Sequence, residues 1–224
     1  MQRSLTAALA GLIALTGSAL AAPQLERVRG TIEKAEAGSV TIKTLDGKSE
    51  TVALDGANYA WVVKSSLDAV TDGVFIGTAT KGENPPTALE VVIFPESMRG
   101  TGEGHYAWDA ITDQTAGGDK VKSAMTNGTV KATSGAPKVK SAMTNGTVKA
   151  SQGGEGEKTL TVTYDKEASK TIVVPPKAPI VAFEPADKAI LTPGGKIFVV
   201  AAKEGDTLTG KLVAVGKDGL TPPM

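Results

Sequence analysis

SVTIKTLDGKSETVALDG (Ser39–Gly56) alternates apolar and polar residues on both sides of an Asp-Gly step. Val40 and Ile42 alternate with Thr41 and Lys43, and Val52 and Leu54 alternate with Thr51 and Ala53. Asp46-Gly47 lies between the two runs. A period of two puts every second side chain on one face, and Asp-Gly supplies the positive φ of a tight turn, so the stretch predicts a β-hairpin. A second stretch, TLTVTYDKEASKTIVVPP from Thr159, has the same form. Leu160 and Val162 alternate, then Ile172 and Val174. The two hairpins align at a constant offset of 120, Val40 on Leu160 and Val52 on Ile172.

The alignment extends in both directions. YAWVV (Tyr59–Val63) falls on PIVAF (Pro179–Phe183), SSLDAVTDGVFIGTATKGE falls on ADKAILTPGGKIFVVAAKEGD with the offset drifting to 122, and TALEVVIF from Thr87 falls on TLTGKLVAV from Thr207. Upstream, GTIEKA at Gly30 matches GTVKA at Gly146. Each unit of roughly 75 residues reads as about five strands with one short turn-like segment before the fourth. The expected fold is all-β: two tandem small OB-like β-barrels following a cleaved signal peptide. The expected boundaries are 1–21 for the signal peptide, 22–98 for the first barrel, 99–137 for a linker and 138–224 for the second barrel. Val40, Ile42, Val52, Phe75, Val91 and Ile93 should point into the first barrel. Leu160, Val162, Ile172, Ile197, Val199 and Leu212 should point into the second.

The linker contains a puzzle. KVKSAMTNGTVKA runs from Lys120 to Ala132 and again, unchanged, from Lys138 to Ala150. Ordinary hairpin connections are short, which favours the later copy as the first strand of the second barrel. The earlier copy then becomes an extra strand or an insert. The reverse assignment is the alternative, because identical segments can exchange register.

At the N-terminus, Arg3 precedes an apolar run from Leu5 to Leu15 and an Ala19-Leu20-Ala21 cleavage signal. The run is too short to span a bilayer and fits an export signal. The mature chain is expected to be periplasmic, with no transmembrane segment. Loss of Arg3 from the 24 basic residues leaves 23 against 24 acidic ones, which argues against a nucleic-acid partner. Cysteine is absent, so stability rests on packing and a thiol nucleophile is excluded.

The pattern G-T-[IV], the T-[IV]-x-T-x-D-G hairpin, LDAVTDGVFIGTATKGE and TALEVVIFPES resemble a family of small exported bacterial β-barrel domains. RGTGEGHYAWD, VPPKAPIV and VGKDGLTPPM are similar to its tandem members. The resemblance covers most of the mature chain. It implies an OB-like fold and an exported location, and it transfers no catalytic residue.

Candidate chemistry is sparse. Glu103, His105 and Asp109 fall in the segment between the repeats and could hold a divalent metal, with Met98 as a soft extra ligand. Most aspartates sit beside glycine, where they make turns. No Gly-x-Ser-x-Gly elbow or P-loop occurs. The leading functional reading is a periplasmic, non-catalytic binding or scaffold protein without a cofactor, engaging a protein or an oligosaccharide. Tyr59, Trp61 and Lys64 form its candidate ligand surface, although Trp61 also reads as core. Metal binding around His105 is the alternative, and a hydrolase with an unrecognised site is the third reading.

Overall fold

The computed structural model describes residues 24–135 and 156–224. The signal-peptide segment and the second copy, Lys138–Ala150, lie outside the described residues. The described chain is all-β, as its alternation predicts. Its strands are β1 (Gln24–Ala35), β2 (Ser39–Thr44), β3 (Ser49–Ala53), β4 (Asn58–Lys64), β5 (Phe75–Lys81), β6 (Thr87–Ala88) and β7 (Val91–Ile93). They continue with β8 (Gly104–Thr112), β9 (Lys120–Gly135), β10 (Lys158–Tyr164), β11 (Ala168–Val174), β12 (Ile180–Ala186), β13 (Lys196–Glu204) and β14 (Thr207–Gly216). The only helical elements described are four three-residue 3-10 turns. No described helix is long and apolar enough to cross a membrane.

Both expected hairpins form. Val40 faces Val52 across β2 and β3, and Leu160 faces Ile172 across β10 and β11. Gly47 takes the positive φ that the Asp-Gly turn requires, at +84°.

Long-range pairing departs from a tandem arrangement. β1, β2 and β3 do not close on β5 and β7 of their own half. β1 pairs antiparallel with β13, β13 with β14, and β14 runs parallel to β3. This closes a ring in the order β1-β2-β3-β14-β13. A second ring closes as β9-β10-β11-β6-β5, with β11 parallel to β6 and β5 antiparallel to β9. Each ring therefore takes three strands from one half of the chain and the rest from the other. β4 and β12 carry the chain across and pair antiparallel with each other.

The burial expected from the sequence is found at almost every position, but its partition is exchanged. Val40, Ile42 and Val52 pack with Ile197 and Val199, while Leu160, Val162 and Ile172 pack with Val91. Phe75 and Leu212 join a third cluster between the rings, and Ile93 is only partly buried against the second ring's core. The physical reason is a degeneracy. Alternation fixes which face of a strand is buried and leaves its edge partner open, so pairing within or between halves satisfies the same pattern.

The segment expected as a linker, 99–137, carries β8 and β9. β9 contains the first copy of the duplicated run, and β10 is paired on both edges, with β9 and with β11. The earlier copy is thus the sheet strand, which corrects the expectation that the later one is. Loop length was a poor guide here. Stretching the connection from twelve to thirty residues costs only about 0.8 kcal/mol in closure entropy. The first copy is also anchored upstream, where Lys120–Asn127 pairs with β8. Gly128 lets β10 pass close to β9. A Cβ there would meet the Thr163 carbonyl oxygen at 2.3 Å, just as one on Gly30 would meet that of Lys43 at 2.0 Å.

Candidate functional site

The segment around His105 does not assemble a metal centre. His105 is on β8, and its Nδ1 lies 2.9 Å from Thr126 Oγ1. Its Nε2 lies 2.8 Å from Lys170 Nζ. An ammonium can only donate, so Nε2 accepts and Nδ1–H donates to the threonine. Burial, reinforced by the Lys170 charge, lowers the pKa of His105 and favours this neutral ring. Asp109 is committed elsewhere. Arg27 Nη1 donates to its Oδ1 at 3.0 Å and Arg29 Nη1 to its Oδ2 at 2.7 Å. Glu103 sits on an exposed turn at the rim of a cavity that Met98 lines and His105 does not. No cluster of three His, Asp or Glu side chains able to hold a metal occurs among the described residues.

Tyr59, Trp61 and Lys64 also fail to form one surface. Tyr59 and Trp61 are partly buried and pack against the first ring's core. Burial raises the Tyr59 pKa. Lys64 has the opposite parity on β4 and is exposed.

The structure instead builds a site that shares only Glu103 and Met98 with the expected groups. Between the rings is a cavity of about 610 Å3. Its wall carries Phe94, Tyr106, Trp108, Phe183 and Phe198, five of the nine aromatic residues in the chain. Met98, Met125 and Met224 line it too, three of the five methionines. In a chain this poor in aromatics, such a concentration separates the cavity from ordinary surface relief. These residues arrive from β7's end, β8, β9, β12, β13 and the C-terminal segment, so nothing local in the sequence announces them.

Polar side chains share the wall with these apolar ones, and two arginines stack on its rings. The Arg27 guanidinium lies 3.8 Å from the centroid of Trp108, and Arg29 lies 5.2 Å from that of Phe198. Arg29 Nε donates to the Met224 main-chain oxygen at 2.7 Å. Asn127, 6% exposed, donates through Nδ2 to the Thr101 carbonyl at 3.1 Å. Its Oδ1 is buried without a hydrogen-bond partner, and so is Trp108 Nε1. Gly77 makes room for that amide, since a Cβ there would stand 2.6 Å from Oδ1.

Nearby, Glu90 is buried at 1% exposure with both carboxylate oxygens unpaired. Burial pushes its pKa up to about 8, and the opposing pull of Arg29 is smaller. Glu90 is therefore a neutral carboxylic acid at pH 7. It does not line the cavity.

No protein-family model matches the chain, and no curated protein or solved structure shows significant similarity to it.

Proposed function

We propose that this chain is an exported, non-catalytic binding protein, built from two OB-type barrels that have exchanged halves, whose ligand occupies the cavity between them. The observation that carries the binding role is the gathering of five aromatic residues and three methionines around one cavity. Sites for small molecules are concave, mostly apolar, and marked by a few polar groups. A volume of about 610 Å3 falls within the usual size range of such sites.

Strand connectivity supports the barrel reading. Each ring has three antiparallel strands, a 3-10 turn (Lys188–Ile190 or Leu67–Ala69) before the fourth, and a fifth that runs parallel to the third. The β4–β12 ladder supports the duplication. Val62 faces Phe183 and Val63 faces Ala182, so a pair and its image at offset 120 are both present. Export rests on the signal-like N-terminus and the family resemblance.

Binding is tested with N-phenyl-1-naphthylamine, a neutral dye that brightens in apolar sites. Wild type is expected to give one saturable site, and Val200→Trp, which fills the wall from β13, is expected to abolish it while keeping its melting transition. Absence of saturable binding, or equal binding by a folded Val200→Trp, contradicts the proposal.

A further inference from the structure

Resting on that cavity reading, we infer that the ligand is a single-chain amphiphile with a monoanionic head, of the fatty-acid class, whose head meets Lys211 at the cavity mouth and whose chain runs inward toward Phe183.

Polarity in the wall is sorted by depth. Of the exposed residues in the lining, Asn58, Ser97, Thr101, Glu103 and Lys211 are polar, and Leu25 alone carries a hydrocarbon side chain. The buried lining includes Val92, Phe94, Met125, Phe198 and Met224, and Asn127 is its one polar member. A ligand that fits this gradient is polar at one end and apolar at the other. Register sets its length. Arg27, Val200, Leu212 and Asn58 form one row across β1, β13, β14 and β4. Phe183 lies opposite Val62, further along β4 from Asn58 by about 13 Å. An extended chain advances about 1.2 Å per bond, so about twelve carbons cover that distance. The flexible thioethers of Met125 and Met224 can repack around such a chain.

A β-bulge places Lys211 at the mouth. β13 and β14 pair at Val200 and Leu212, then at Ala201 and Gly210, which leaves Lys211 as the extra residue. In a regular strand Lys211 and Leu212 would face opposite sides of the sheet. Here both line the cavity.

Lys211 is also the unpaired cation of the wall. Arg27 is held by Asp109, which binds Arg29 through its other oxygen. Lys211 enters no ion pair among the described residues. Glu103 is the one acid in the lining, and it already faces a cation. A hydrogen bond to Glu96 and, more weakly, the charge of Glu103 raise the pKa of Arg99. A carboxylate at Lys211 gains a counter-charge while staying at the wet end of the cavity, so it escapes the cost of burying a charge. A cationic head there would stand against Lys211 and Arg27.

The test is displacement of N-phenyl-1-naphthylamine from the full chain by fatty acids from octanoate to myristate, below their micelle-forming concentrations. Dodecyltrimethylammonium and 1-dodecanol are the controls. Affinity should rise about tenfold for each two methylenes, up to about twelve carbons, and then level off. Laurate should outcompete dodecyltrimethylammonium. Lys211→Met keeps the stem and removes the charge. It should weaken laurate about two- to fivefold and leave 1-dodecanol within about twofold, and Lys211→Arg should restore laurate. The position is exposed, so both variants should keep the wild-type melting transition. Several outcomes overturn the inference while the cavity reading stands: bound dye that laurate does not displace, affinity indifferent to chain length, tighter binding of the ammonium amphiphile, or laurate affinity unchanged in Lys211→Met. A dye that finds no saturable site overturns both.

Discussion

In the ring formed by β1, β2, β3, β14 and β13, the parallel strand β14 runs unbroken from Thr207 to Gly216, and Val213 at its centre is fully buried among apolar neighbours. In the other ring the corresponding parallel edge is broken into β6 and β7, with Leu89 and Glu90 between them. All six buried polar or charged residues among those described, Thr78, Thr80, Glu90, Asp113, Thr126 and Asn127, belong to this second ring or adjoin it. The difference follows from β8. It extends the sheet beyond β9 and packs its own Ile111 with Ala79, Leu89 and Met125 in a cluster that the first ring lacks. An added strand converts an outer face into a second interior, and the polar groups there must find partners. Thr78 Oγ1 donates to the Glu90 carbonyl at 2.7 Å, and Thr80 Oγ1 to the Ala124 carbonyl at 3.2 Å. Trp108 Nε1 and Asn127 Oδ1 find none, and both residues line the cavity. The buried polar groups among those described thus gather in the second ring and its added strand, while both rings wall the cavity.

The sharpest way to break this comparison is to weaken one ring at a time. Ile42→Ala and Leu160→Ala each empty a fully buried position and should each cost about 2–5 kcal/mol. Exchanged halves make the rings interdependent, so each variant should still unfold in one transition. Trp61 packs against the first ring's core, and Trp108 packs on the outer cluster under β8. Single-tryptophan versions of each variant should therefore give coincident urea transitions. Separate transitions would show two independent barrels.

The polar asymmetry is sharpened by pH. Glu90 has a folded pKa raised to about 8, against an ordinary value near 4.5. Between those values the folded state binds a proton that the unfolded state has lost. Stability should therefore be complete below about pH 4.5 and fall as pH rises toward 8, by on the order of 1 kcal/mol per pH unit. Glu90→Gln should remove that component, so that urea midpoints measured from pH 5 to pH 8 flatten. A wild-type slope retained in Glu90→Gln would assign it to other groups.

The smallest effect is expected from deleting residues 120–137. The deletion joins Asp119 to Lys138 and restores KVKSAMTNGTVKA beside β8, now followed by Ser151-Gln152-Gly153 in place of Thr133-Ser134-Gly135. The melting temperature should change by no more than a few degrees, with cooperativity intact. Loss of the cooperative transition would mean that the two copies are not interchangeable.

How far the sequence could be read follows from the range of each signal. Alternation at Val40, Ile42, Leu160 and Val162 is local, and those residues are buried as expected. Which half pairs with which is not local, and alternation leaves it undetermined. Thr126-Asn127-Gly128 is a further case. Asn-Gly ordinarily marks a hairpin turn, yet here both residues lie inside β9, because Gly128 permits the close passage of β10 and Asn127 faces the cavity. The aromatic and methionine residues of the site come from separate strands. Only their scarcity hinted that they would be used together.

The exchange of halves is tested most directly by disulfide trapping in this cysteine-free chain. Thr31 lies opposite Lys196 across β1 and β13, whereas Phe75 lies opposite Thr129 on β9. The exchanged arrangement predicts that Thr31→Cys/Lys196→Cys oxidises nearly completely within the monomer and that Thr31→Cys/Phe75→Cys stays reduced, as read by intact mass after size separation. Closure of the Thr31–Phe75 pair, with Thr31–Lys196 left reduced, would establish contiguous barrels and contradict the exchange.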